Sequence, residues 1–226
     1  MIRVKKISKI YPNGFKALEE VSLNIAKGEF VYLVGASGAG KSTLLNMICR
    51  ADVPTGGDIF IDSISLNSLT EKQVPYFRRR IGMIFQDYKL LPKRTVYENV
   101  AFALRVMHYS RSRIRRQVGQ VLELVNLHQK MDHMPSELSG GEQQRICIAR
   151  AIVNNPPILL ADEPTGNLDP DTSWEIVQLL SKINMRQTTV IVATHNKAIV
   201  DDIRKRVIAV AKGKIVRDQN LGLYEA

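Results

Sequence analysis

Hydrophobic residues along this 226-residue chain fall into two kinds of pattern. Short continuous runs occur at FVYLV (residues 30–34), DIFI (58–61), IGMIF (81–85), ILLAD (158–162), TVIVAT (189–194) and RVIAVA (206–211). Rich in β-branched and aromatic residues, each predicts a buried strand. Helical spacing separates most of them: Leu44, Leu45 and Ile48 follow the first run, and longer helical patterns cover residues 96–106, 111–125 and 141–153. Strands alternating with helices favour an α/β fold with a mainly parallel sheet. Between residues 87 and 155 the strand-like runs stop, which predicts a helical subdomain at about 88–154 inserted into a single domain spanning 1–226. No internal repeat, low-complexity segment or Pro/Ser-rich linker interrupts the pattern, and the final LGLYEA reads as a short frayed tail.

The first strand and its helix are joined by GASGAGKST, that is Gly35, Ala36, Ser37, Gly38, Ala39, Gly40, Lys41, Ser42 and Thr43. Glycines at a strand-to-helix turn let the backbone adopt positive φ and present bare N–H groups, which join the unpaired N–H groups of the helix start in an anion cradle. The spacing G-x-x-x-x-G-K-S matches a phosphate-binding loop, with Lys41 placed to reach the β- and γ-phosphates and Ser42 to ligate Mg²⁺. The plainer alternative is a flexible turn; the strand before it and the helix after it argue for the phosphate loop.

Composition limits the setting. With 45% hydrophobic residues the chain can bury a sizeable core as one compact unit. The first thirty residues, with Lys5, Lys6, Lys9 and Lys16, hold no apolar segment of signal-peptide length, and no apolar run approaches the roughly 20 residues of a membrane span, so a soluble cytoplasmic chain is expected. Cys49 and Cys147 lie in apolar helical patterns without metal-ligand spacing and read as reduced core residues. A net charge of +10 attracts polyanions without choosing among them. Its densest stretches are residues 78–80 (RRR) and 110–116 (SRSRIRR), and the second reads as the solvated face of a helix.

Two more constellations narrow the chemistry. PILLADEP, residues 157–164, is a buried strand ending in Asp162 and Glu163, and burying carboxylates is costly without a partner. A metal ion is one such partner: after a phosphate loop, the first acid suits Mg²⁺ and the second the polarisation of a water. LSGGEQQR, residues 138–145, places Ser139, Gly140 and Gly141 ahead of a helix. A capping box between Ser139 and Glu142 explains the serine but not the paired glycines, which suggest a second anion site.

Together these motifs resemble those of the nucleotide-binding subunits of ATP-binding cassette (ABC) transporters, over nearly the whole chain. The resemblance implies an ABC ATPase fold: a phosphate-loop NTPase core with a mainly parallel sheet, an antiparallel β part and the helical subdomain. It also implies hydrolysis of ATP to ADP and phosphate with Mg²⁺ held by Ser42, Gln86 and Asp162. By the same resemblance Tyr11 stacks on adenine, and Lys41 neutralises phosphate charge. Glu163 polarises the water, and His195 contacts the γ-phosphate. The segment Ser139, Gly140, Gly141 and Glu142 closes on the nucleotide of a second copy, giving a homodimer that sandwiches two ATP. The dimer-contact loop carries GNLD (residues 166–169) where SALD is common, a variant frequent in the branch with lipoprotein-releasing and macrolide-efflux ATPases. FQDYKLLPKRTVYENVAFAL and EPTGNLDPDTSWEIVQLL are most similar to the cell-division members of that branch. Those act with an integral membrane protein, implying a partner docked near residues 86–102, a peripheral place on the cytoplasmic face of the membrane, and a role in cell-wall hydrolysis. An exporter ATPase is the alternative. A soluble ABC protein acting on DNA or ribosomes lacks support, because the chain has neither a second cassette nor a long coiled-coil insertion; no nucleic-acid partner is expected.

Overall fold

The computed structural model describes residues 1–224. Two sheets share the molecule. The first is antiparallel, ordered β2-β1-β4-β5, from β1 (Ile2–Ile10), β2 (Lys16–Ile25), β4 (Gly56–Ile61) and β5 (Ile64–Ser65). The second is ordered β10-β9-β3-β8-β7-β6, from β3 (Phe30–Val34), β6 (Ile81–Ile84), β7 (Ile158–Asp162), β8 (Thr189–Thr194), β9 (Arg206–Ala211) and β10 (Lys214–Gln219). All its pairings are parallel except β10 on β9. The mainly parallel sheet is therefore present, but DIFI belongs to the antiparallel sheet rather than to it.

Alternation of side chains on β3 divides the core. Phe30, Tyr32 and Val34 face one cluster, while Val31 and Leu33 face the other. The Val31 face is covered by α1 (Lys41–Ile48), whose Leu44, Leu45 and Ile48 are buried, and by the antiparallel sheet through Ile2, Val4 and Leu23. Fully burying a leucine or isoleucine contributes about 1.5–3 kcal/mol, so three on one short helix suffice to dock it. The Phe30 face is covered by helices. The short α2 (Val74–Arg78) precedes β6, and between β6 and β7 lie α3 (Val96–Arg105), α4 (Arg111–Leu124), two 3₁₀ turns and α5 (Gly140–Ile152). Val100, Leu104, Val118, Leu122, Ile146 and Ile148 of this segment share one core with the sheet and with α6 (Pro170–Asn184). Cys147 lies in that core and Cys49 in the other, both as free thiols.

β1 and β2 escape the hydrophobic pattern for a visible reason. Their pairing slips between Val4 and Ile7, where Lys6 takes φ 45°, and again between Ile7 and Lys9, where Glu20 on β2 takes φ 48°. Such bulges shift the period-two alternation in mid-strand. Lys9, which falls inward, is buried and satisfied by the Asp52 carboxylate and the Val53 carbonyl.

The segment after β6 has no periodicity because its order comes from polar anchors. The Arg150 guanidinium donates to the Tyr88 carbonyl (2.8 Å) and the Lys89 carbonyl (2.6 Å). The buried Asn99 amide accepts from the Leu91 N–H (2.8 Å) and donates to the Leu91 carbonyl (3.1 Å). Thr95 and Glu98 form the capping box that starts α3.

Candidate functional site

Parallel strands put their C-terminal ends along one edge of a sheet, where binding crevices form. Here β3, β8 and β7 are neighbours although they are far apart in sequence, so the residues that follow them converge. Lys41 comes after β3, Glu163 after β7 and His195 after β8.

The turn after β3 depends on its glycines. Gly35 has φ 145°, and a Cβ there would lie 2.1 Å from the Val210 carbonyl oxygen; Gly40 has φ 110°, and its Cβ would lie 2.6 Å from the Ala17 oxygen. Only glycine fits either place. Gly40 caps α1 without a side-chain bond, which leaves the first-turn N–H groups without a side-chain acceptor, and Lys41, Ser42 and Thr43 of that turn line the cavity. The buried Lys41 ammonium folds back onto the turn, donating to the Gly35 carbonyl at 2.7 Å and the Ala36 carbonyl at 3.1 Å.

At the end of β7 two carboxylates part company. The Ser42 hydroxyl donates to Asp162 Oδ1 at 3.0 Å. Burial pushes the Asp162 carboxyl above the usual carboxylate range, Ser42 pulls it back, and the neighbouring Glu163 charge raises it again. Glu163 adopts φ 46°, a left-handed conformation uncommon for a non-glycine residue, and its N–H donates to the Ala193 carbonyl of β8 (2.9 Å). That turn aims its carboxylate at two cations or donors: Oε1 is 3.7 Å from Lys41 Nζ, and Oε2 is 2.9 Å from His195 Nδ1 and accepts from the His195 N–H at 3.2 Å. Strained backbone at such a point is a pointer to function.

Lys41, Ser42, Glu163 and His195 line a cavity of about 510 Å³ together with Ala36, Ser37, Gly38, Gly40, Thr43 and Gln86, and Asp162 adjoins it through its hydrogen bond to Ser42. A triphosphate with Mg²⁺ fits the donor set. Among the described residues no cluster of three or more His, Cys, Asp or Glu could cage a metal, whereas Ser42, Asp162 and Gln86 offer the few oxygen ligands that Mg²⁺ uses when phosphates supply the rest.

Not every residue named from the sequence lies on the cavity wall. Tyr11 does not line the cavity; Phe15 does, and the two rings lie nearly parallel, 6.5 Å apart between centroids, with Lys9 Nζ 5.1 Å from the Tyr11 ring. The tight turn 11–15, closed by the Tyr11 N–H to the Phe15 carbonyl, brings the second aromatic forward. The only signal in the sequence was an aromatic directly after Asn-Gly, a turn dipeptide. The Ser139, Gly140, Gly141 and Glu142 segment, expected to serve the nucleotide of a second copy, is not among the residues lining the cavity of its own chain. Ser139 and Glu142 form the expected capping box, Lys130 pairs with Glu142, and Gly140 and Gly141 approach Tyr88, Leu168 and Thr172. Of the tail expected to fray, residues 221–224 are instead held on the molecule, with Tyr224 a further wall of the cavity, and residues 225 and 226 lie outside the described residues.

Residues 18–166, well over half of the chain, match the family described as ABC transporter. The chain belongs to the ABC transporter ATP-binding family. It is 57% identical over 224 residues to the cell division ATP-binding protein FtsE of Bacillus subtilis (strain 168), covering 99% of this chain and 98% of that protein. The FtsE of Escherichia coli (strain K12) is 45% identical, covering 95% and 97%. Among solved structures, a dimeric post-hydrolysis state of the ATP-binding cassette MJ0796 bound to ADP and Pi superposes with a TM-score of 0.89 at 40% identity, covering 98% of this chain and 99% of that one. The protein is thus an ATPase of ABC type with an FtsE-like chain.

Proposed function

We propose that this ATPase energises a cell-division membrane complex. Two copies close head to tail around two ATP molecules and drive an integral membrane subunit of the FtsX kind, which regulates cell-wall hydrolysis. The observation that carries the chemistry is the run of contacts from Lys41 through Glu163 to His195 on one cavity wall, with the Ser42 to Asp162 hydrogen bond beside it.

Lys41, freed from the Gly35 and Ala36 carbonyls, neutralises the β- and γ-phosphates while the α1 N-terminus binds them. Ser42, Gln86 and Asp162 hold Mg²⁺, which supplies further neutralisation of the phosphates. Glu163 polarises the attacking water, and His195, held by the Glu163 carboxylate, contacts the γ-phosphate. The Ser139 to Glu142 segment completes the clamp from a second copy; its distance from the phosphate loop within one chain and the likeness to a dimeric cassette support this.

A groove of about 510 Å³ supports the membrane coupling. Phe85, Leu91, Phe102, Val106 and Met107 line it, and Phe85 is the residue directly before Gln86. Phe102 is 49% exposed, whereas Leu90 packs against the core. A shift at Gln86 thus reaches the groove through the Arg150-clamped loop. Among the described residues no helix is long and apolar enough to cross a membrane, and the proposed contact with the membrane subunit is a peripheral one through this groove. The test is the double substitution Leu91→Ser with Phe102→Ser, co-expressed with the membrane subunit. Loss of co-purification with ATP binding and melting temperature retained is expected; a complex that still assembles refutes the groove.

A further inference from the structure

After β10, residues 220–224 stay on the surface of the molecule. The Gly222 N–H donates to the Lys205 carbonyl (3.0 Å), the Arg217 guanidinium donates to the Leu223 carbonyl (2.7 Å), and the Tyr224 N–H donates to Asp201 Oδ1 (2.6 Å). Asp201 lies on α7 (Lys197–Asp202), which starts immediately after His195 and Asn196. Anchored this way, the half-buried Tyr224 packs on the main core and lines the nucleotide cavity with Lys41, Glu163 and His195. Burial and the nearby Glu163 charge both raise the phenol's pKa, in agreement with that closeness.

We propose that Tyr224 is a positioning residue for hydrolysis: its ring walls the cavity beside Glu163 and His195 and holds those two side chains in their hydrogen-bonded arrangement. A ring in that place shields the Glu163 carboxylate from bulk water, which strengthens its contacts, and blocks the swing of the 61%-exposed His195 toward solvent. Because Tyr224 and the helix after His195 share the Asp201 anchor, the wall moves with His195. The inference rests on the role given above to Glu163, and the role belongs to the ring rather than to the hydroxyl.

The experiment measures steady-state ATPase and ATP affinity of the full chain, with the membrane subunit present, for Tyr224→Ala, Tyr224→Phe, Asp201→Ala and, as a control, Lys41→Ala. Displacing reacting groups by an ångström can cost up to about a hundredfold, so a softened wall should lower kcat about tenfold in Tyr224→Ala with KM for ATP within about twofold. Tyr224→Phe should keep at least about half of kcat, and Asp201→Ala, which frees the anchor but keeps the ring, should fall between the two. A Tyr224→Ala kcat within about twofold of wild type per folded molecule overturns the proposal, as does a Tyr224→Phe as slow as Tyr224→Ala. If Tyr224→Ala does not fold, Asp201→Ala and Tyr224→Phe decide: wild-type kcat in Asp201→Ala, or a slow Tyr224→Phe, overturns it. Lys41→Ala that still binds and hydrolyses ATP normally would instead defeat the assignment of the site.

Discussion

Replacing Glu163 by glutamine keeps the shape of the side chain and removes its charge. Only 11% of that side chain is exposed, and it faces Lys41 Nζ at 3.7 Å and His195 Nδ1 at 2.9 Å. The amide oxygen of Gln can still accept from the His195 N–H, so the geometry survives. With an effective dielectric constant near 20, two unit charges 3.7 Å apart attract by about 4 kcal/mol before desolvation is counted. Little of this reappears as lost stability, because Lys41 keeps the Gly35 and Ala36 carbonyls and is not left as an uncompensated buried charge. Binding should hold or tighten, since the triphosphate no longer faces the carboxylate. Hydrolysis should suffer most: general-base catalysis contributes about 10²–10⁴-fold, so kcat should fall at least about a hundredfold, or about 2.7 kcal/mol in the barrier. Single-turnover hydrolysis and ATP binding on the purified chain separate the two effects. A kcat within about threefold of wild type removes Glu163 as the base; lost ATP binding would mean that its work is to hold Lys41. The variant should also accumulate with ATP as a dimer in light scattering when the membrane subunit is present.

Gly40→Ala places a methyl group 2.6 Å from the Ala17 oxygen at φ 110°, so the phosphate loop must shift; ATP binding should drop at least about tenfold while far-ultraviolet circular dichroism stays native, and normal affinity would contradict the cradle. The raised pKa of Asp162 makes its ionised form unfavourable in the folded chain, so the folded state binds more protons than the unfolded one between the ordinary aspartate pKa and the raised value. Above the raised value the penalty is fully present, and it fades as pH falls through that window. Asp162→Asn should therefore raise the melting temperature of the nucleotide-free, Mg²⁺-free protein at pH 7, with a smaller gain at acid pH, and should abolish Mg²⁺-dependent hydrolysis. An unchanged or lower melting temperature at pH 7 would refute the burial argument.

The local chemistry was legible in the order of residues. A strand, a glycine turn and a lysine-led helix are contiguous, so GASGAGKST declares its conformation without help from the rest of the chain. The helices α3, α4 and α5 likewise carry their own caps, Thr95, Ser110 and Ser139, and their own apolar stripes, and their observed bounds match the periodicity to within a residue or so. What tertiary structure decided was everything that depends on a neighbour. Bulges at Lys6 and Glu20 follow from pairing two twisted strands, and they hide β1 and β2 from a period-two search. Whether Tyr11 or Phe15 faces the cavity depends on which way one tight turn closes, and whether Leu90 or Leu91 is free depends on where Arg150 and Asn99 clamp the loop. The place of Tyr224 is set by a backbone bond to Asp201, for which the sequence LGLYEA holds no signal. Lys41, Glu163 and His195 themselves meet only because the sheet sets β3, β8 and β7 side by side in an order that differs from their order along the chain. Periodicity and spacing report interactions between residues close in sequence; contacts across 120 residues or more are fixed by which strands pair, and that is settled by burial summed over the whole core.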